Sequence, residues 1–134
     1  MGSFQELKVW QRSKDLAVSL YKITGQGALN KDWGLRDQIR RAVVSIASNI
    51  AEGDELGTDR QAIKFFYTAK GSSAEVLTQA IIAYEIGYLK REHFDGVKKE
   101  CQAISGMLTR LNQARSADTS RKDKGAGRKA YGSR

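Results

Sequence analysis

The chain has 134 residues, enough for one hydrophobic core and too few for two. Hydrophobic residues make up 40% and charged residues 28%, a globular balance, and no apolar run approaches the ~20 residues that cross a bilayer, so no membrane partner is expected. The 23 basic residues outnumber 15 acidic ones for a net charge of +8, which attracts phosphate polyanions and makes nucleic acid the first partner to weigh.

The first residues, Met1 to Glu6, show neither a basic leader nor an apolar stretch followed by small residues, so a cytoplasmic location is expected. There is no proline, and the breaks fall at Gly25 and Gly27, at Gly53 to Gly57, at Gly87 and in a Gly-rich stretch from Gly125. The first predicted helix runs from about Phe4 to Thr24. Trp10, Ala17 and Tyr21 line one of its faces, and Val9, Leu16, Leu20 and Ile23 line an adjoining one.

The second helix runs from about Asn30 or Asp32 to Glu52. Its apolar residues Leu35, Ile39, Ala42, Val43, Ile46 and Ile50 recur at three- and four-residue intervals, a pattern that a strand with a period of two does not satisfy. The third opens after Thr58 or Asp59, both suitable N-caps, and ends near Ile86 at Gly87. The fourth runs from about Arg91 to Arg115 on a seam of Phe94, Val97, Cys101, Ile104, Leu108 and Leu111.

Comparable helices joined by short loops favour antiparallel neighbours, so the predicted fold is all-α, an antiparallel up-and-down four-helix bundle over residues 1–116. Residues 117–134 lack apolar periodicity and read as a flexible, disordered basic tail. That tail holds six cations against two carboxylates, half of the net charge of +8. Two helices carry surplus apolar surface. Val44, Ala47 and Ala51 lie nearly opposite the main stripe of the second, and apolar residues including Phe65 cover close to half of the third. Either the first helix and the loops cover this surface, or it is a subunit interface.

Enzyme constellations are missing from the sequence, and no catalytic residue, metal site or cofactor is expected. His93 is the only histidine and has no partner for a zinc or triad arrangement. Cys101 is the only cysteine and shares the fourth helix's apolar stripe, which reads as a buried, inert thiol. The glycines form no phosphate loop, since neither a preceding strand nor a Gly-Lys-Ser/Thr ending accompanies them. Glu52, Asp54 and Glu55 read as a solvated loop cluster.

Particular strings carry a resemblance. Gln38 to Ala42, then Ser45-Ile46 and Ser48-Asn49-Ile50-Ala51-Glu52-Gly53, resemble the signature of the four-helix-bundle proteins encoded by intervening sequences in bacterial large-subunit (23S) ribosomal RNA genes. Val9-Trp10-Gln11, Gly34-Leu35, Gly71-Ser72 and Gly87-Tyr88-Leu89 look like its flanks, over about Phe4 to Leu111. Where that family has Phe-Pro between its first two helices, this chain reads Gly25-Gln26-Gly27-Ala28-Leu29, so a looser connection is expected.

The resemblance implies a homo-oligomer, with a pentamer favoured, no enzymatic activity and an RNA- or ribosome-linked role. A more distant likeness to the accessory variability proteins of diversity-generating retroelements implies a protein partner such as a reverse transcriptase, together with nucleic acid; a purely structural assembly module with no nucleic-acid affinity is the other alternative.

The shared residues also have a direct physical reading. Asn49 borders the core stripe, where its amide could bond to a neighbouring helix and set the register. Gly71-Ser72 costs the third helix about 1 kcal/mol relative to alanine, and the small side chains most simply permit close approach of another helix. Gly53 reads as the left-handed cap of the second helix.

Arg36, Arg40 and Arg41 suit either carboxylates in a subunit seam or phosphates. The candidate nucleic-acid residues are therefore Arg36, Arg40 and Lys64 on the bundle, with Arg121, Lys122, Lys124, Arg128 and Lys129 in the tail. The candidate oligomer interface is Val44, Ala47, Ala51 and Phe65. No strand motif interleaves aromatic and basic residues, so contacts to phosphates and shape rather than to bases are expected.

Overall fold

A computed structural model of the chain describes the backbone of residues 3–130 and the side chains of residues 3–122. Among the described residues a 3-10 turn at Phe4–Glu6 is followed by five helices: α1 Lys8–Thr24, α2 Gly27–Lys31, α3 Trp33–Glu55, α4 Asp59–Glu85 and α5 Arg91–Ala130. The four long ones close a square. α1 packs on α3 and α5, and α4 packs on α3 and α5, so α1 and α4 stand at opposite corners.

The periodic stripes meet at the centre. Ile39, Val43, Ile46 and Ile50 of α3 are all buried, each worth roughly 1.5–3 kcal/mol of removed apolar surface, and they face Phe66 and Val76 of α4 and Ile104 and Leu108 of α5. From α1 the Val9, Leu16 and Leu20 face enters this core, with Trp10, Ala17 and Ile23 partly buried against it.

The ends of α4 follow the capping chemistry of the sequence. The Thr58 hydroxyl accepts the amide of Gln61 at 3.3 Å. At the other end Gly87 adopts φ +84°, its amide bonds to Tyr84 at 3.1 Å, and the amide of Tyr88 bonds to Ala83 at 2.8 Å, the paired bonds of a Schellman motif.

Several expectations are corrected, in whole or in part. The link between the first two long helices is an ordered helical turn, α2, because Leu29 is 1% exposed and anchors it to the core. Gly53 is not a left-handed cap. It lies inside α3, where an added Cβ would come within 2.9 Å of Phe66 Cε1, and the positive φ belongs to Gly57 at +80°.

Of the pair Gly71-Ser72 only the serine makes the expected close approach: Gly71 meets nothing within 4 Å, whereas Ser72, with Ser73, is buried at the helix contacts. Asn49 does not cross to another helix. It donates to the carbonyl of Ser45 at 2.8 Å and to its hydroxyl at 3.0 Å, and the Ser45 hydroxyl makes the crossing by a 2.9 Å bond to Ser72 on α4.

The fourth long helix also outruns its expected end at Arg115 and continues to Ala130. Its continuation is held by charge. Arg115 bonds Asp59 at 3.3 Å and Asp54 at 3.5 Å, Lys122 bonds Asp59 at 3.1 Å, and Arg121 pairs with Asp118 one turn back.

Candidate interaction surface

The second apolar face of α1 and the surplus face of α3 come together on the outside of the bundle. Phe4, Trp10, Ala17, Val18 and Tyr21 form one wall and Val44, Ala47 and Ala51 the other, of an open groove of about 620 Å³. Its exposed lining is almost wholly apolar, although Lys14, Lys22 and Ser48 also border it. Val44 is 42% exposed, and Val18 and Tyr21 are exposed to a similar degree. The first helix thus neighbours the surplus surface of α3 without covering it.

Of the four candidate interface residues the structure brings three together, Val44, Ala47 and Ala51. Phe65 lies apart from them, half-buried, with its Cβ 3.1 Å from where a Cβ on Gly53 would stand. Trp10, Val18 and Tyr21 of α1 join this surface beyond the candidate residues named from the sequence. The signal was present in the sequence as a second face, Trp10, Ala17 and Tyr21, that a helix with one buried stripe does not need. α4 carries a separate exposed apolar set, Tyr67, Ile81 and Ile82.

The candidate phosphate-binding arginines are engaged within the chain. Arg40 Nε donates to the Thr24 hydroxyl at 2.9 Å and Nη2 to the Tyr21 carbonyl at 3.1 Å, while its guanidinium lies 4.5 Å from the centre of the Tyr21 ring. It satisfies the carbonyl end of α1, where a cation also complements the helix dipole. Arg36 bonds Asp37 at 3.0 Å and both oxygens of Asn30 at 3.2 Å, tying α2 to α3. Neither carboxylate seam nor phosphate is needed to account for them.

Lys64 is exposed on α4 and Arg41 on α3. Arg121 and Lys122 are exposed on the extension of α5, in the pairs given above. The side chains of Lys124, Arg128 and Lys129 lie outside the described residues.

Other sequence candidates resolve simply. His93 borders an open cleft between α1 and α5 with Asp15, Glu92 and Glu100, where Glu100 is bridged to Arg12 at 2.7 Å. Among the described residues no group of three His, Cys, Asp or Glu side chains could hold a metal ion. Cys101 is buried, and burial pushes its thiol up to about 11 against a weaker opposing effect of Ser73. Among the described residues no helix is long and apolar enough to cross a membrane.

Comparison with known proteins adds two findings. A family model described as 23S rRNA-intervening sequence protein matches residues 5–110. Among solved structures, a protein of unknown function from the S23 ribosomal protein family of Bacteroides thetaiotaomicron is similar in fold, with a TM-score of 0.72 and 21% identity over 78% of this chain and 97% of that one. No curated protein matches.

Proposed function

The chain belongs to the family of 23S rRNA-intervening sequence proteins, and on that premise we propose that it is a non-enzymatic module that self-assembles, as a ring of five copies, and associates with RNA. The observation that carries the assembly is the groove across α1 and α3, an apolar concavity of about 620 Å³ on the outside of a bundle that already has a complete core. Surfaces of this kind mark association sites, because leaving them in water forgoes the stabilisation that burial brings.

A ring needs two unlike surfaces on each copy, one for each neighbour. The groove and the exposed Tyr67, Ile81 and Ile82 of α4 are two such surfaces, on different corners of the square. RNA association is supported by the net charge of +8 and by exposed basic side chains, Lys64 and the ion-paired Arg121 and Lys122 among them.

Two measurements test the reading. Light scattering after size exclusion should give one discrete species of about five times the mass of the chain, and a monomer at micromolar concentration would sink the assembly. A mobility assay with mixed RNA at moderate salt should show a shifted complex, and no shift at low salt would sink the RNA association.

A further inference from the structure

Trp33 is 70% exposed, more than any other large apolar side chain among the described residues. It does not stand on a loose loop. Beside it, Asp32 Oδ1 accepts the amide of Leu35 at 3.1 Å, and Arg36 fastens the end of α2 to the start of α3. The indole is therefore presented to water from a backbone with little freedom left to lose. Tyr88 is presented in the same manner, since its amide closes the end of α4 on Ala83 at 2.8 Å and its ring is partly buried against the core.

The antiparallel packing of α3 and α4 brings the start of one beside the end of the other. Trp33, Tyr88, Lys31, Asp32 and Ala28 consequently line one open pocket of about 480 Å³. Lys31 is exposed at its rim, and Lys90, also exposed, follows Tyr88 by two residues.

Two aromatic rings on fixed backbone, with Lys31 lining the same pocket and Lys90 exposed two residues beyond Tyr88, match an unpaired nucleotide: a flat aromatic base between two phosphates. Every base has a π-face, so stacking tolerates sequence, and lysines supply the phosphate contacts. A duplex keeps its bases stacked on one another and does not offer them. The chain's charge of +8 favours a polyanion over an apolar protein segment.

We propose that the pocket between Trp33 and Tyr88 stacks an unpaired base of single-stranded RNA, with Lys31 and Lys90 taking the flanking phosphates. This rests on the RNA-association reading and gives it a site on the bundle. It also supplies base contacts that the sequence, lacking an aromatic and basic strand motif, did not foretell.

The test uses the full chain and a fluorescein-labelled single-stranded RNA of mixed sequence, read by anisotropy at moderate salt, with the same RNA annealed to its complement as a second probe. Trp33→Ala and Tyr88→Ala should each weaken single-strand binding by about 10-fold, Trp33→Phe should retain most of it, and duplex binding should be unchanged by Trp33→Ala. Tryptophan fluorescence of the wild-type chain should be quenched as RNA is added, and that quenching should be lost in Trp33→Phe, where Trp10 is the one remaining tryptophan.

Wild-type affinity in Trp33→Ala, with no quenching in the wild-type chain, overturns the stacking site and leaves the RNA association standing. No binding of either probe by the wild-type chain overturns both. Loss of assembled mass on Trp33→Ala, seen by light scattering with circular dichroism unchanged, makes the ring a subunit contact and likewise overturns the proposal.

Discussion

A methyl group on Gly53 would lie 2.9 Å from Cε1 of Phe66, a ring that is fully buried and has no free direction in which to move. Alanine in a helix interior normally gains about 1 kcal/mol over glycine, but overpacking a filled core costs about 1–3 kcal/mol. Gly53→Ala should therefore lower stability by about 1–2 kcal/mol in chemical denaturation. Gly71→Ala, with open space around it, should raise stability by about 0.5–1 kcal/mol. Opposite signs for one substitution in two helices isolate the contact from the propensity.

Cys101 gives a second prediction at this scale. Its thiol is held up to about 11 by burial, against an ordinary value of 9.0, so the folded chain keeps a proton that the unfolded chain releases. That contribution to stability is fully present below about pH 9 and is lost as the pH rises to about 11. At pH 8 a thiol reagent should modify the native chain far more slowly than the denatured one, and equal rates would show an accessible sulfur.

The elements differ in what holds them. α3 and α4 are joined along their length by buried side chains and by the Ser45–Ser72 bond at 2.9 Å, whereas the extension of α5 rests on Arg115 and Lys122 reaching Asp54 and Asp59. Ion pairs near the surface contribute little to stability and are screened by salt. Removing residues 117–134 should thus leave the melting temperature and the assembled mass nearly unchanged.

The same truncation should reduce the salt dependence of RNA affinity, because each phosphate contact to a single strand contributes a slope of about −0.7 in log affinity against log salt. An extension making about three contacts would account for a slope of roughly −2. An unchanged slope would place all phosphate contacts on the bundle.

For the whole molecule the decisive surface is the groove between α1 and α3. Val44 is 42% exposed and makes no part of the core, so Val44→Asp should leave helical circular dichroism intact. In an assembled ring the same carboxylate would be buried without a partner, which costs several kcal/mol and should shift the light-scattering mass to that of one chain. If Val44→Asp instead unfolds the chain, the face is core and the assembly through it is wrong.

The division between what was legible in the sequence and what was not follows the range of the interactions. The existence of the four long helices, the stripes of α3 and α5 and the Gly87 stop are local properties, carried by residues three or four apart, and they survive in the structure as read. The membership in the family was legible too, in the string from Ser48 to Gly53.

What only the tertiary structure decided are contacts between residues distant in the chain. The close pass of Gly53 over Phe66, the tethering of Arg40 to the end of α1, the hold of Asp59 on Lys122 and the meeting of Trp33 with Tyr88 all depend on how the helices pair and at what register. Periodicity tells which face of a helix is apolar. It does not tell which other helix, or which other molecule, will cover that face, because burial depends on the neighbour rather than on the residue itself.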